Sequence, residues 1–221
     1  MKTSSSQLNM HYGACPKKIE SREQTIINTY RKHYKRDSIP NNTQYWTICG
    51  RCSYQPNQLE QNCEPDQIIK SKLANPDQIH GVEIDPEIYK YNINSGINVN
   101  WYLGDFYETM VEFANNNNFN PAIINADLLH MPDHAATYLS KIMQFLSHFD
   151  GQTMIVCNMV KCICNSRNSD INDMIYGLEK EPCFQNAFSK AKWSFHNEYY
   201  WYNGTGKTTT KMMTLIMFKN P

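Results

Sequence analysis

The chain has 221 residues, with 21 basic and 21 acidic side chains, so no global electrostatic pull toward nucleic acid is built in. That length suits one sizeable α/β domain and is short for two. No apolar run reaches the length of a membrane span and "MKTSSSQLNM" lacks the apolar core of a signal peptide, so a cytoplasmic protein without membrane attachment is expected.

Residues 1–20 are polar and read as a loose arm, leaving 21–221 as a single α/β domain. Ser21 can cap a helix reaching about Arg36, with Ile26, Ile27 and Tyr30 on one face. "YWTICG" (45–50) is a short buried strand, and "EPDQIIKSKL" (64–73) a helix closed by Asn75-Pro76. "QIHGVEID" (78–85) is the second strand, followed by a helix over 86–96 that Gly96 stops. "VNWYLGDF" (99–106) is the third strand, and "YETMVEFANNNN" a helix fading into an asparagine run. "PAIINADL" (121–128) is the fourth strand. The helix over 134–149 sets Tyr138, Ile142, Phe145 and Phe149 on one side. "QTMIVCNMV" (152–160) is the fifth strand, and a weakly patterned region leads to a helix near 172–190. Alternating strands and helices predict a doubly wound, mostly parallel sheet with helices on both faces.

The C-terminal "NGTGKTTTK" (203–211) looks at first like a phosphate loop. Its opening glycine would fall on Trp201, and the β-branched run that follows suits a strand better than a helix. Asn203-Gly204 between "NEYYWY" and "MMTLIMF" reads instead as the turn of an antiparallel hairpin at the sheet edge. Aromatic residues in "WSFHNEYYWY" (193–202) can stack unpaired bases, but at alternating spacing half of them are more simply core. The eight cysteines never give two clean paired knuckles, so they read as buried thiols and no metal is expected. A local basic face is available at Lys17, Lys18, Arg31, Lys32, Lys35 and Arg36.

Open α/β sheets bind ligands outside the carboxyl ends of their strands. The second strand ends at Glu83-Ile84-Asp85, the third at Gly104-Asp105-Phe106 and the fourth at Asn125-Ala126-Asp127. A carboxylate after the second strand can accept hydrogen bonds from both ribose hydroxyls. Asp105 can accept from an exocyclic adenine amine with Phe106 packed on the base, and Asn125 or Asp127 lies nearer the reacting end. These acids can equally cap the following helices. Capping is preferred for Asp85 alone, and a site for Glu83, Asp105 and Asp127 together.

The segments "GVEIDPEIYKYN", "YLGDF" and "PAIINADL" resemble the ribose-binding segment, the adenine-binding turn and the catalytic-loop strand of the class I S-adenosylmethionine-dependent methyltransferases. The resemblance spans roughly residues 40–219 and implies a Rossmann-like sheet ending in an antiparallel last strand. It implies S-adenosyl-L-methionine as cofactor, with Glu83 holding the ribose, Asp105 contacting adenine, and Asp85, Gly104 and Phe106 as further cofactor-binding candidates. Asn125 or Asp127 would lie near the methyl donor, and Asp127 or His130 would take a proton. Cys49 and Gly50 stand at the first loop, where "TICGRCS" keeps one glycine and lacks the family's terminal acid. Glu64, opening the next helix, is the candidate replacement. His130 alone also reads as an ordinary loop histidine. Asp127-Leu-Leu-His-Met-Pro132 departs from the Pro-Pro-aromatic run of base-amine methyltransferases, so that acceptor is not supported. Cys157 falls near where cytosine-carbon methyltransferases place a nucleophile, but a buried thiol is the simpler reading. The expected function is methyl transfer to an undetermined acceptor, nucleic acid among the candidates. The alternative is a catalytically inactive member acting as a binding or partner subunit. The asparagine-rich, lysine-over-arginine composition would suit a viral or phage-encoded protein.

Overall fold

A computed structural model describes residues 16–48, 50, 63–128, 132–160, 193–196, 202–203 and 211–219. Eight described strands form one sheet: β1 (Gln44–Ile48), β2 (Ile79–Glu83), β3 (Asn100–Leu103), β4 (Pro121–Asp127), β5 (Thr153–Val160), β6 (Trp193–His196), β7 (Tyr202–Asn203) and β8 (Lys211–Lys219). Their order is β3-β2-β1-β4-β5-β8-β6, with β7 also paired to β8. The first five are mutually parallel, and β8 runs antiparallel to β5, β6 and β7. The expected antiparallel pairing is seen between β7 and β8, while the turn expected at Asn203-Gly204 runs into residues 204–210, which lie outside the described residues; β8 itself is not at the edge. β8 inserts between β5 and β6, pairing over eight residues with β5. The reason is composition: Leu215 to Phe218 are apolar without a break, so both faces of β8 need cover.

The strand alternation divides the core cleanly. Ile124, Ile155, Cys157, Leu215 and Met217 face one cluster, while Ile123, Met154, Val156, Ile216 and Phe218 face the other. Helices α5 (Phe106–Asn116) and α6 (Pro132–Leu146) cover the first face through Phe106, Met110, Leu139, Ile142, Met143 and Leu146. Tyr138, Phe145 and Phe149 pack beside them, as the helical spacing predicts. The second face receives Ile26, Ile27 and Tyr30 from the N-terminal helix and Ile68 from α3 (Glu64–Lys70). At the β3 end, α4 (Pro86–Ile93) lies against β2 and β3. Gly81 leaves the room there that the cross-strand Trp101 ring fills.

The N-terminal helix differs from expectation. It starts at Pro16, with α1 (Pro16–Arg22) passing through a π-helical stretch (Glu23–Asn28) into α2 (Thr29–Tyr34). Ser21 is therefore buried inside the helix rather than capping it, and residues 16–20 belong to the helix rather than to a loose arm. Proline at a first helical position is preorganised for that start. Thr29 Oγ1 donates to the Gln24 carbonyl at 2.8 Å, filling an acceptor in the wider turn. Residues 1–15, the first-loop segment 51–62 and the helix expected near 172–190 lie outside the described residues.

Candidate functional site

At the carboxyl ends of β2 and β3 the acids sit side by side. Glu83 is paired in register with Leu103, and the Gly104 amide donates to the Glu83 carbonyl at 3.0 Å. The Glu83 side chain is 7% exposed, and burial raises its carboxyl above the usual range. The amides of Asp85 and Ile84 oppose that rise by hydrogen bonding, and the Asp85 charge adds to it. Asp85 caps α4, accepting from the amides of Glu87 at 2.8 Å and Ile88 at 3.3 Å. Asp105 caps α5, accepting from the Glu108 amide at 3.0 Å. Tyr138 Oη lies 3.2 Å from each Asp105 oxygen and accepts from the Tyr107 amide at 2.9 Å. Phe106 is 3% exposed and sits in the core. Ile84 and Leu103, by contrast, are 70% and 50% exposed between these acids. Ile84 and Leu103 thus leave apolar side chains exposed beside these acids.

The carboxyl ends of β1, β4 and β5, with the facing amino half of β8, are built differently, around a buried polar network. Glu64, 1% exposed, accepts from Tyr45 Oη at 2.8 Å and Thr47 Oγ1 at 2.5 Å on one oxygen. Its other oxygen accepts from Asn125 Nδ2 at 2.7 Å and lies 3.5 Å from Arg22 Nε. Asn125 Oδ1 accepts from Asn158 Nδ2 at 3.4 Å, and Asn158 Oδ1 accepts from Thr214 Oγ1 at 2.6 Å. Glu64 thus holds internal partners on both oxygens, in place of the cofactor-facing role expected for it. Next to this network Asp127 Oδ2 pairs with Lys18 Nζ at 2.9 Å, the two side chains being 9% and 13% exposed. Asp127 Oδ1 is buried and has no hydrogen-bond partner among the described residues.

Several solved structures share this architecture. Trm5b of Pyrococcus abyssi superposes with a TM-score of 0.53 at 11% identity, over 93% of this chain and 49% of that one. An O-methyltransferase from Bacillus cereus, solved with SAH, gives 0.52 at 10% identity over 96% and 86% of the two chains. The plantazolicin methyltransferase BpumL, also solved with SAH, gives 0.51 at 11% identity over 93% and 85%. The fold is that of the class I S-adenosylmethionine-dependent methyltransferases. The chain spans about half the length of Trm5b. No family model and no curated protein sequence matches the chain.

Within this methyltransferase fold, the structure brings Glu83, Asp85, Gly104, Asp105 and Phe106 together at one end of the sheet. Asn125 and Asp127 lie across β1 from them, at the end of β4. Gly50 has φ +58°, a left-handed turn suited to glycine, and its carbonyl accepts from Asn92 Nδ2 at 2.9 Å. Cys49 and His130 lie outside the described residues. Cys157 is fully buried, and burial pushes its thiol well above the usual range, with the Asp127 charge adding to it. Its surroundings are those of an inert core thiol. No group of three or more His, Cys, Asp or Glu that could hold a metal occurs among the described residues. Likewise, no described helix is long and apolar enough to cross a membrane.

The expected basic face is partly dispersed. Lys18 turns to Asp127, and Arg31 donates to the carbonyls of Asp37 and Ser71. Lys32, Lys35 and Arg36 remain exposed, and the Lys17 side chain lies outside the described residues. Sequence reasoning missed Arg22, Tyr138 and Ile84 as site elements. The spacing Lys18, Arg22, Ile26 was a usable signal, since residues four apart share one helix face.

Proposed function

We propose that this chain is a methyltransferase that uses S-adenosylmethionine. The supporting observation is the juxtaposition of Glu83, Ile84 and Asp105 on adjacent parallel strand ends, two acceptors flanking an exposed apolar side chain. A nucleoside has the complementary pattern, with paired ribose hydroxyls, a flat apolar face and an amine edge. Glu83 would accept from the ribose hydroxyls, Ile84 would pack on the base, and Asp105 would accept from the adenine amine. Asp85 would act through the α4 cap and Phe106 by seating α5 against the sheet. Gly50 has no described atom within 4 Å of where a Cβ would stand, which suits close backbone approach of the donor's amino-acid portion.

When bound, the donor supplies an electrophilic sulfonium methyl group to an acceptor nucleophile. The chain's own contribution is alignment, which converts a bimolecular encounter into an effectively intramolecular one. Asp127 stands at the β4 end with its buried Oδ1 lacking a described partner while Lys18 holds Oδ2, and in this proposal Oδ1 accepts the proton once a bound acceptor reaches it. Asn125 would hold Glu64 and the floor beneath that point. His130 stays with Asp127 as a second proton acceptor in this proposal.

Isothermal calorimetry with S-adenosylmethionine and S-adenosylhomocysteine tests the reading, on the unmutated chain and on Asp105→Ala and Glu83→Ala. Binding weakened about tenfold or more in each variant is the expected result, since hydrogen bonds to a charged group contribute roughly 1.5–3 kcal/mol. A well-folded chain with no affinity for either compound would overturn it. Tritiated methyl incorporation into pooled RNA, DNA and protein then identifies the acceptor, nucleic acid being the first class to try.

A further inference from the structure

Asp105 does not stand alone at the start of α5, and its surroundings explain how one carboxylate can read a base. An aspartate side chain turns broadly about its last torsion, and a single cap bond to the Glu108 amide leaves that rotation loosely held. Tyr138 removes the freedom. Its hydroxyl accepts from the Tyr107 amide at 2.9 Å, an orphan donor of the first helical turn, so its one proton remains for Asp105. That oxygen is 3.2 Å from both Oδ1 and Oδ2, a bifurcated contact that sets the carboxylate plane. The ring is anchored in turn, because α6 is seated in the core through Leu139, Ile142 and Met143. Burial, and to a lesser extent the Asp105 charge, raises the phenol above the usual tyrosine range, so it stays a donor. The Tyr107 amide works in the opposite sense without reversing this. A carboxylate offers about four acceptor positions, and the cap and the phenol leave capacity on the Oδ2 side.

We propose that Tyr138 is a positioning residue that orients the Asp105 carboxylate to select a purine carrying a 6-amino group. The inference rests on the nucleoside reading of this end of the sheet. A 6-oxo purine would set a carbonyl lone pair against the same carboxylate. Selectivity therefore depends on how firmly Asp105 is aimed, as in sites whose buried polar groups reject an analogue lacking the matching donor.

The test is competition calorimetry with S-adenosylhomocysteine and its hypoxanthine counterpart, S-inosylhomocysteine. The unmutated chain should prefer the adenine compound by roughly a hundredfold. Tyr138→Phe, checked for an intact cooperative melt, should bring that ratio to about threefold or less, as should Asp105→Asn, which keeps a side-chain cap. In the Asp105→Asn background Tyr138→Phe should change the ratio no further. A purely structural strut would weaken both ligands equally, so an unchanged ratio in Tyr138→Phe overturns the inference while leaving the cofactor reading intact. An unchanged ratio in Asp105→Asn overturns it as well. Binding of neither compound by the unmutated chain removes the cofactor reading, and the inference with it.

Discussion

Replacing Glu64 by glutamine probes the polar network at the ends of β1 and β4 with the smallest change of shape. The carboxylate is 1% exposed and serves Tyr45, Thr47 and Asn125 by hydrogen bonds and Arg22 by charge. A carboxamide keeps one acceptor oxygen. Turned with its NH2 toward Asn125, it faces another donor. Turned the other way, it takes the acceptor from two hydroxyls that must find others. In either pose the 4%-exposed Arg22 loses its carboxylate. Removing one charge of a buried pair costs about 3–5 kcal/mol. The 3.5 Å approach of Arg22 argues for the lower end, near 3 kcal/mol. For a domain of this length that is roughly a 6–12 °C fall in melting midpoint. Urea denaturation followed by far-UV circular dichroism should show a lower midpoint at unchanged slope. Arg22→Met in the Glu64→Gln background should recover about 1–3 kcal/mol. A cost under about 1 kcal/mol would refute the reasoning, because it would mean that water reaches the network.

Other consequences are as direct. Burial pushes His80 down to about 4, with its ring stacked on Trp46 and Nδ1 3.1 Å from Tyr102 Oη. The unfolded chain then binds a proton that the native state refuses. Stability is complete above about pH 6.5 and falls as pH drops toward 4, by up to about 3 kcal/mol. Denaturation series across that window should show the loss flattened in His80→Phe, and an equal loss there would assign it to other groups. A Cβ at Gly81 would stand 2.4 Å from Trp101 Cζ3, so Gly81→Ala should cost about 1–3 kcal/mol. Trp101→Leu should relieve most of that cost in the double variant. Asp127→Asn should lower the methylation rate about 10²–10⁴-fold on the acceptor found by incorporation, with cofactor affinity unchanged. A matching fall in affinity would place Asp127 on the cofactor instead.

The sheet was legible because each parallel strand is a short apolar run bounded by a polar break, and the helices between them carry one apolar face. The acids at the ends of β2 and β3 followed from that reading, and so did the capping role of Asp85. What escaped was non-local. The place of β8 depends on which edge has room for a two-sided apolar strand, which local pattern does not encode. Residues 16–20 are helical, and from this helix Lys18 and Arg22 find Asp127 and Glu64, partners more than 40 residues away in sequence. Read without those partners, a polar stretch of two lysines and a glutamate looks like an arm. In sequence Glu64 is the candidate replacement for the missing first-strand acid, and an acid opening a helix looks the same there whether it faces a ligand or the interior.

The two halves of the carboxyl edge therefore carry different chemistry. Under β1, β4, β5 and β8 the polar side chains are consumed by one another: Glu64, Asn125, Asn158 and Thr214 form a continuous chain closed by Arg22. Such a network is costly if half satisfied, which accounts for the helix laid across it. Under β2 and β3 the reverse holds, with a buried Glu83, an aimed Asp105 and an exposed Ile84 that no described element covers. Where the two halves meet, Asp127 has one oxygen paired with Lys18 of the helix and one buried with no described partner.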